Sequence, residues 1–259
     1  MVNKEYEDYL KFIDEALELS KSIPRYFSKF SNKIYCNHQK LAIYILMQKL
    51  RRNYRGIISW LKSNPIACIH VGLTKVPVHT TIVRFAKKII KFLPNLLGIR
   101  KANIIAVDST GFDLEAKSFY YRNVWNSNKR QKTRNYMKLS IAVDADKQMI
   151  LNYKIRRKLR HDTIDFKTLL KDMNVKYVVA DKGYDSHKNR NFVIRKLKAI
   201  PVIPVRNHSN YYGHYWNGRE INGKYYNKRS KVETVFSVIK RKYGSVLRAR
   251  SLATQKAEL

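Results

Sequence analysis

The sequence predicts an α/β protein with a mixed β-sheet flanked by helices, preceded by an all-helical domain. Within residues 1–100, apolar residues recur at the three- and four-residue intervals typical of helices. After residue 100, short runs rich in Ile and Val indicate strands, and a helical pattern then alternates with them. Strands first, followed by alternating strands and helices, imply a mixed sheet with helices packed against it. We therefore expect two domains, at residues 1–100 and 101–259.

Two segments of the N-terminal half carry the clearest helical pattern. NHQKLAIYILMQKL (37–50) repeats apolar residues at helical spacing, and YRGIISWLKSNP (54–65) does the same until Pro65 ends it. Both patterns are too regular in their spacing to favour strands.

The next segment, GLTKVPVHTTIVRFAKKIIKFLP (72–94), predicts a turn and a basic helix that follows a shorter one. Gly72 and Pro77 interrupt the pattern, and Thr80 is a candidate N-cap. The apolar residues of the basic helix share one face: Ile82, Phe85 and Ile89. A short helix, a turn and a basic second helix suit a DNA groove. A helix pair with a solvated basic face is the alternative interpretation.

Five apolar runs predict the strands. They are NIIAVDST (103–110), MKLSIAVDAD (137–146), QMILNYKI (148–155), VKYVVAD (175–181) and KAIPVIPV (198–205). The pattern of TIDFKTLLKDM (163–173) predicts a helix between the third and fourth strands. A Tyr- and Gly-rich loop at 207–228 and a final helix complete this half.

The charge of the chain indicates a polyanionic partner. Lys and Arg number 53 against 19 Asp and Glu, a net charge of +34. An adenine- and thymine-rich gene would enrich Lys, but it would enrich Glu as well. Yet no acidic residue occurs between Glu18 and Asp108, or between Glu233 and Glu258. Such one-signed stretches favour double-stranded DNA as the partner over a membrane surface, because no basic amphipathic interfacial helix is evident.

Several function classes are disfavoured by composition. No apolar run is long enough to cross a bilayer, and the N-terminus lacks the apolar segment of a signal peptide. We therefore expect a cytoplasmic, nucleoid-associated protein. The two cysteines, Cys36 and Cys68, are too few and too far apart for a disulfide framework or a zinc site.

Three carboxylates end apolar runs, and two of them indicate a functional site. Asp144 lies in VDADKQ between two strands, where ordinary hairpin chemistry explains it. Asp108 follows NIIAV and Asp181 follows YVVA, and neither lies in a predicted hairpin. If their strands are neighbours, the two carboxylates meet at one edge of the sheet, where their repulsion calls for a cation. A divalent metal such as Mg²⁺ accepts ligands of this kind.

A third acidic residue, Glu233, lies in the last helical segment, YYNKRSKVETVFSVIKRKYG (225–244). At 100° per residue, it shares one face of about 60° with three other residues. These are Tyr226, Arg229 and Lys240. The adjoining face is apolar and would pack on the sheet. Taken alone, the segment favours a simple surface pair between Arg229 and Glu233.

Together, the three segments resemble the acidic triad of DDE transposases, which use an RNase H-like domain. More specifically, Tyr226, Arg229, Glu233 and Lys240 reproduce the Tyr-x2-Arg-x3-Glu-x6-Lys signature of insertion-sequence transposases of groups four and five. AVDSTGF (106–112) and ADKGYDS (180–186) resemble the motifs around the first and second Asp, and LRHDTIDF (159–166) the segment between them. The resemblance covers roughly residues 35–259.

The resemblance implies a function for each of these residues. Asp108, Asp181 and Glu233 would be the catalytic residues and would hold two Mg²⁺ ions, for which Mn²⁺ would substitute. Tyr226, Arg229 and Lys240 would contact DNA. We expect a homodimer on DNA that binds transposon ends through residues 1–100, frees a 3′-hydroxyl by hydrolysis, and joins it to target DNA.

Two alternatives stay open at this stage. Related transposases continue through another helical stretch beyond SLATQKAEL, so a truncated or decayed copy would act only as a DNA-binding protein. An RNase H-like nuclease without strand transfer would share the same triad. A local question concerns the pair His161 and Asp162, where capping of the following helix by Asp162 or Thr163 is favoured over a catalytic role.

Overall fold

The computed structural model describes residues 4–92, 97, 101–115, 136–157, 161–205 and 223–259. The chain divides into two compact units, Met1–Leu96 with Arg248–Leu259, and Leu97–Leu247. Within the described residues, no helix is long and apolar enough to span a membrane. Most of the Tyr- and Gly-rich loop predicted at 207–228 lies outside the described residues, although its last residues, from Gly223 onward, are helical.

The first unit consists of helices. They are α1 (Lys4–Ser20), α2 (Asn37–Lys49), α3 (Tyr54–Ser63), α4 (Pro65–His70), α5 (His79–Ile89) and, near the C-terminus, α10 (Leu252–Glu258). The α5 helix buries the predicted apolar face, because Ile82, Phe85 and Ile89 lie in the core of this unit. Its basic residues Arg84 and Lys87 are exposed. An apolar buried face and a basic exposed face are expected both for a helix that binds a DNA groove and for a helix pair with a solvated basic face.

The start of α5 differs from the prediction. Thr80 lies inside the helix, and the N-cap position is Val78, whose side chain cannot accept a hydrogen bond. By contrast, α2 begins with a reciprocal cap: the Gln39 N–H donates to the Cys36 Sγ, and the Cys36 N–H donates to the Gln39 Oε1 at 2.9 Å. The unpredicted role of Cys36 is therefore local and structural.

The C-terminal segment packs in the helical unit, although the sequence expectation assigned it to the second domain. Ala257 of α10 is buried in the same core as the α5 face. The Glu258 carboxylate accepts hydrogen bonds from the N–H groups of Arg248 (2.9 Å) and Ala249 (2.7 Å). The Gln255 amide donates to the Ala249 carbonyl at 2.9 Å. The burial of Ala257 among residues of α1 to α5 is long-range in sequence, which explains why periodicity did not predict it.

The second unit is built on a mixed sheet. Its strands are β1 (Lys101–Leu114), β2 (Tyr136–Asp144), β3 (Met149–Arg156), β4 (Asn174–Ala180), β5 (Ile200–Val202) and β6 (Val246–Leu247). The sheet order is β3-β2-β1-β4-β5, with β6 paired to the far end of β1. Strands β2 and β3 run antiparallel to their neighbours, whereas β4 pairs in parallel with both β1 and β5. The predicted strands and the mixed sheet are confirmed.

Helices pack against the sheet. They are α6 (Thr163–Leu170), α7 (His187–Asn191), which continues into a π-helical turn at Phe192–Lys196, α8 (Gly223–Tyr226) and α9 (Ser230–Tyr243). Short 3-10 turns occur at Lys182–Tyr184 and Asn227–Arg229. The α6 residues Phe166 and Leu169 share a core with Ile105 and Val107 of β1. Because side chains alternate along a strand, Asp108 faces away from this core.

The predicted turn at Asp144 is confirmed. Its carboxylate accepts hydrogen bonds from the N–H groups of Asp146 (2.9 Å) and Lys147 (3.1 Å). An Asp that bonds the backbone two and three residues later is a common way to close a turn. The position of Asp144 at the end of an apolar run is therefore explained by its part in the turn.

A buried ion pair fixes the chain after β4. The carboxylate of Asp185 lies 2.8 Å from the Arg190 Nε, and these side chains are only 4% and 3% exposed. Arg190 also donates to the Ile203 carbonyl at 2.6 Å, and Asn189 donates to the Tyr184 carbonyl at 3.0 Å. The segment following Asp181 is thus tied to the strand β5 side of the sheet.

We predict that Asp185→Asn destabilises the second unit by about 3–5 kcal/mol, because it leaves the buried Arg190 charge without its partner. The matched control is Asp146→Asn, which breaks a half-exposed pair with Lys228 and should cost less than about 1 kcal/mol. Urea unfolding followed by far-UV circular dichroism measures both. Equal losses in the two variants would contradict the role assigned to the buried pair.

Candidate active site

Asp108 lies near the middle of the sheet, on the central strand β1. Its strand neighbours Ala106 and Val107 are fully buried, whereas Asp108 is only partly buried. The Ser109 N–H donates to the Asp108 Oδ1 at 2.8 Å, which orients the carboxylate. The residue therefore combines a rigid backbone with access to the outside.

Asp181 lies beside Asp108, directly after the end of the parallel strand β4. Val107 pairs with Ala180, so Asp108 and Asp181 follow directly after a pair of facing residues. Neighbouring strands lie about 4.8 Å apart, which brings the two acidic residues side by side. The Asp181 Oδ1 accepts a hydrogen bond from the Lys182 N–H at 2.7 Å, at the start of a 3-10 turn. The predicted adjacency of their strands is confirmed.

Glu233 approaches from the first turn of α9. The helix buries Val232 and Phe236, as its predicted apolar face requires, while the Glu233 side chain stays 52% exposed. Glu233 and Asp108 line one open cleft of about 600 Å³, together with residues from β1 and from the later turns of α9. A helix and a strand from distant parts of the sequence thus contribute carboxylates to one cleft.

The three carboxylates interact electrostatically. The pKa of Asp108 is raised, chiefly because burial disfavours the ionised form, and the charges of Glu233 and Asp181 raise it further. The Ser109 N–H and the Arg229 guanidinium act in the opposite direction. A negative charge raises the pKa of a carboxyl group only when the two are close. The three carboxylates therefore form a local region of negative charge in a strongly basic protein.

Arg229 is a cation that lies beside these carboxylates. Its Nη1 lies 2.7 Å from the Glu233 Oε1, one helical turn away. Burial lowers the pKa of Arg229, but Glu233, Tyr226 and Asp181 raise it, and the net shift is upward. The guanidinium lies 6.0 Å from the centre of the Tyr226 ring. The surface pair favoured by the helix alone is therefore present, and it lies beside the other two carboxylates.

Lys240 faces the same cleft from the other end of α9. Its Nζ donates to the Thr110 Oγ1 at 2.8 Å and lies 5.3 Å from the centre of the Phe112 ring. Since Thr110 and Phe112 are on the same face of β1 as Asp108, these contacts dock α9 on that face. The structure thus brings Asp108, Glu233 and Lys240 together in one cleft, with Asp181, Arg229 and Tyr226 beside it.

The carboxylate oxygens of this cleft are suitable ligands for a hard divalent cation, but the side chains are not gathered around one point. Carboxylate oxygens are the ligands that Mg²⁺ prefers, and a cation among them would relieve the repulsion that raises the pKa of Asp108. Within the described part of the chain, no group of three or more acidic, His or Cys side chains is already positioned as a metal site. The Glu233 carboxylate is instead engaged by Arg229, at 2.7 Å.

A second set of polar contacts lies on the opposite face of β1. The Ser109 Oγ donates to the Asp162 Oδ2 at 3.0 Å, and the other oxygen of Asp162 pairs with the Lys138 Nζ. Asp162 occupies the N-cap position of α6 but makes no capping hydrogen bond. The capping interpretation of its side chain is therefore wrong, because Lys138 and Ser109 compete for both of its oxygens.

Lys138 was not identified from the sequence. It lies in β2 opposite Gly111, and its side chain is only 13% exposed. Burial lowers its pKa, while Asp165 and Asp108 raise it. A signal was available, because Lys138 and Ser140 are the polar residues that alternate within the apolar strand MKLSIAV. The pattern alone would have assigned them to a solvated face.

Comparisons with known proteins agree with this architecture. Residues 99–259 match the family described as "Transposase DDE domain". The chain is also similar in fold to a piggyBac transposase, solved by cryo-EM as a synaptic complex with hairpin DNA. The TM-score is 0.51 at 10% sequence identity, and the match covers 99% of this chain and 71% of that one. The search of curated proteins found no match.

We predict that Asp108→Asn raises the melting temperature in metal-free buffer at neutral pH. The raised pKa means that the folded state binds the Asp108 proton more tightly than the unfolded state does. Ionisation therefore costs stability, and this cost is absent below the ordinary value of 3.8 and develops as the pH rises above it. The gain should disappear in acid.

The control for this measurement is Asp144→Asn, which alters a carboxylate used only to close a turn. Differential scanning calorimetry between pH 3 and pH 8, in the presence of a chelator, compares the two variants with the wild type. A lower melting temperature for Asp108→Asn at neutral pH would show that its charge is not a cost to the fold.

Proposed function

The chain belongs to the transposase DDE domain family, and from this membership we propose that it binds the ends of its insertion sequence, cleaves DNA and joins the 3′-hydroxyl ends to target DNA. The observation that carries the proposal is the placement of Asp108, on β1, beside Asp181, which follows β4, and in one cleft with Glu233 of α9. Asp108 and Asp181 each follow directly after the facing residues Val107 and Ala180, and Glu233 lines the same cleft as Asp108.

Asp108, Asp181 and Glu233 are the proposed catalytic residues and the proposed ligands of two divalent cations. Magnesium is the expected ion and manganese its substitute, because both accept carboxylate oxygen. Bound there, the ions would activate the attacking hydroxyl and stabilise the leaving oxygen of a phosphodiester. The open cleft leaves room for a DNA backbone beside the carboxylates. Burial raises the pKa of Asp108, and the charges of Glu233 and Asp181 raise it further, so a cation bound beside Asp108 would favour its ionised form.

Three residues of α8, the 3-10 turn that follows it and α9 are proposed to contact DNA. Arg229 can bind a phosphate through its planar guanidinium, and Tyr226 lies beneath it. Lys240 is 11 residues further on, about 16 Å along the helix, so it would meet a different phosphate. Its contact with Thr110 holds it at the cleft until a phosphate competes for the ammonium.

The helical unit is the proposed DNA-binding domain. A cleft in it is lined by cations from α3, from α5 and from the loops that precede α3 and α10. Those cations are Arg52, Arg55, Lys87, Arg248 and Arg250. A concave surface with this charge favours a phosphate backbone. We propose double-stranded DNA as the partner, a homodimer on that DNA, and a cytoplasmic, nucleoid-associated location.

We predict that Glu233→Gln abolishes cleavage while DNA affinity stays equal or rises, because the change removes a carboxylate and one negative charge. Asp181→Ala should also abolish cleavage. The assay follows nicking of supercoiled DNA and cutting of linear DNA with Mg²⁺ or Mn²⁺, beside a filter-binding measurement. Glu115→Gln, at an exposed position beyond β1, is the matched control and should cut normally.

The same assay separates the alternatives. Cleavage without joined products would indicate a nuclease that lacks strand transfer. Binding without cleavage by the wild type would indicate a DNA-binding protein. Cutting by Asp181→Ala at the wild-type rate would remove the proposed enzyme, and a loss of affinity in Glu233→Gln would make that residue structural.

We predict that Lys240→Met weakens DNA binding and lowers the slope of log affinity against log salt by about one unit, as the loss of one phosphate contact requires. Arg229→Met should do the same. Lys242→Met is the control, since Lys242 lies about 200° around the helix from Lys240. A salt slope unchanged by Lys240→Met would contradict its contact with DNA.

A further inference from the structure

We propose that Asp162 and Lys138 are positioning residues for Asp108, acting through Ser109. In this proposal they hold the Asp108 carboxylate in the orientation that a divalent cation requires. The inference rests on the proposed function, because it concerns the same metal site. It assigns a role to the His-Asp-Thr segment (161–163), which the triad and the DNA-contacting residues leave unexplained.

The contacts form a continuous path across β1. Lys138 pairs with one oxygen of Asp162, and the second oxygen accepts the Ser109 hydroxyl at 3.0 Å. The N–H of Ser109 in turn donates to the Asp108 Oδ1 at 2.8 Å. Ser109 is thus fixed from one face of the strand by its side chain, while its backbone fixes the carboxylate that projects from the other face.

The path is anchored in the interior of the unit. The Lys138 side chain is 13% exposed and that of Asp162 is 36% exposed, so neither is fully hydrated. Asp162 also precedes α6, whose Phe166 and Leu169 are buried against the sheet. Moving Asp162 would therefore require movement of a packed helix or exposure of the Lys138 charge. Such restraint is what a metal-binding carboxylate needs from its neighbours.

A second hydroxyl, that of Ser140, faces Ser109 but does not form a hydrogen bond with it. Ser140 lies directly opposite Ser109 in the register of β1 and β2. In the described residues, the Ser140 Oγ makes no hydrogen bond, whereas the Ser109 Oγ donates to Asp162. The preference for a charged acceptor agrees with the greater strength of charge-assisted hydrogen bonds. Asp162 is therefore the charged acceptor of the Ser109 hydroxyl, which also interacts with the Tyr184 hydroxyl.

A purely structural role for Asp162 is the competing explanation, and Asp165 provides the comparison. Asp165 lies one turn along α6, pairs with Arg156 and is 2% exposed. Its charge also acts on Lys138. Asp165→Asn therefore removes a nearby negative charge and a stabilising ion pair, as Asp162→Asn does, but it leaves the bond between Ser109 and Asp162 in place.

The test measures Mn²⁺ binding to the whole protein by electron paramagnetic resonance, without DNA, together with the melting temperature of each variant. Asp162→Asn and Ser109→Ala should each weaken Mn²⁺ binding about tenfold or more, the typical effect of losing a residue that orients a metal ligand. Ser109→Ala changes no charge. Ser109→Thr keeps the hydroxyl and should restore affinity. Asp165→Asn should lower the melting temperature with no loss of Mn²⁺ affinity.

Asp108→Asn separates failure of this inference from failure of the proposed function. If Asp108→Asn loses Mn²⁺ binding while Asp162→Asn and Ser109→Ala bind as the wild type does, the positioning role is wrong and the metal site stands. If Asp165→Asn weakens binding as much as Asp162→Asn does, Asp162 is only structural. If Asp108→Asn binds Mn²⁺ normally, both the metal site and the positioning role are wrong.

Discussion

The placement of Asp108 beside Asp181 and in one cleft with Glu233 is the constraint on which the rest of this structure depends. Asp108, Asp181 and Glu233 are close enough that the charges of the last two raise the pKa of the first. A protein with a net charge of +34 could have answered each acid with its own cation. Among the described residues, Arg229 pairs with Glu233 and its charge also interacts with those of Asp108 and Asp181. The site is therefore suited to accept further positive charge.

The fold creates this constraint by a simple arrangement of elements. Parallel pairing of β1 with β4 aligns Val107 with Ala180, so the acidic residues that follow must emerge together. The apolar face of α9 then packs on the sheet and brings Glu233 to the same cleft. In this way the sheet positions Asp108 and Asp181, and the packed helix α9 positions Glu233. The strand that carries Asp108 is held in the core, since Ile105 and Val107 are fully buried.

Sequence reasoning identified the parts of the site whose signals are local. Regular spacing predicted the face shared by Glu233 and Lys240, and apolar runs predicted the strands that end near Asp108 and Asp181. It missed the role of Lys138, because a Lys in a strand is normally interpreted as facing solvent. It also assigned Asp162 to capping, since only tertiary contacts reveal that Lys138 and Ser109 use both of its oxygens. Long-range packing similarly decides that α10 joins the helical unit.

The most direct measurement of the central claim is the anomalous scattering of Mn²⁺ in crystals of the protein bound to a DNA end of its own element. We expect manganese in direct contact with oxygens of Asp108, Asp181 and Glu233, with Arg229 turned from Glu233 towards a phosphate. The proposed metal site would be wrong if manganese bound elsewhere. It would also be wrong if Glu233 kept its pair with Arg229 and touched no metal.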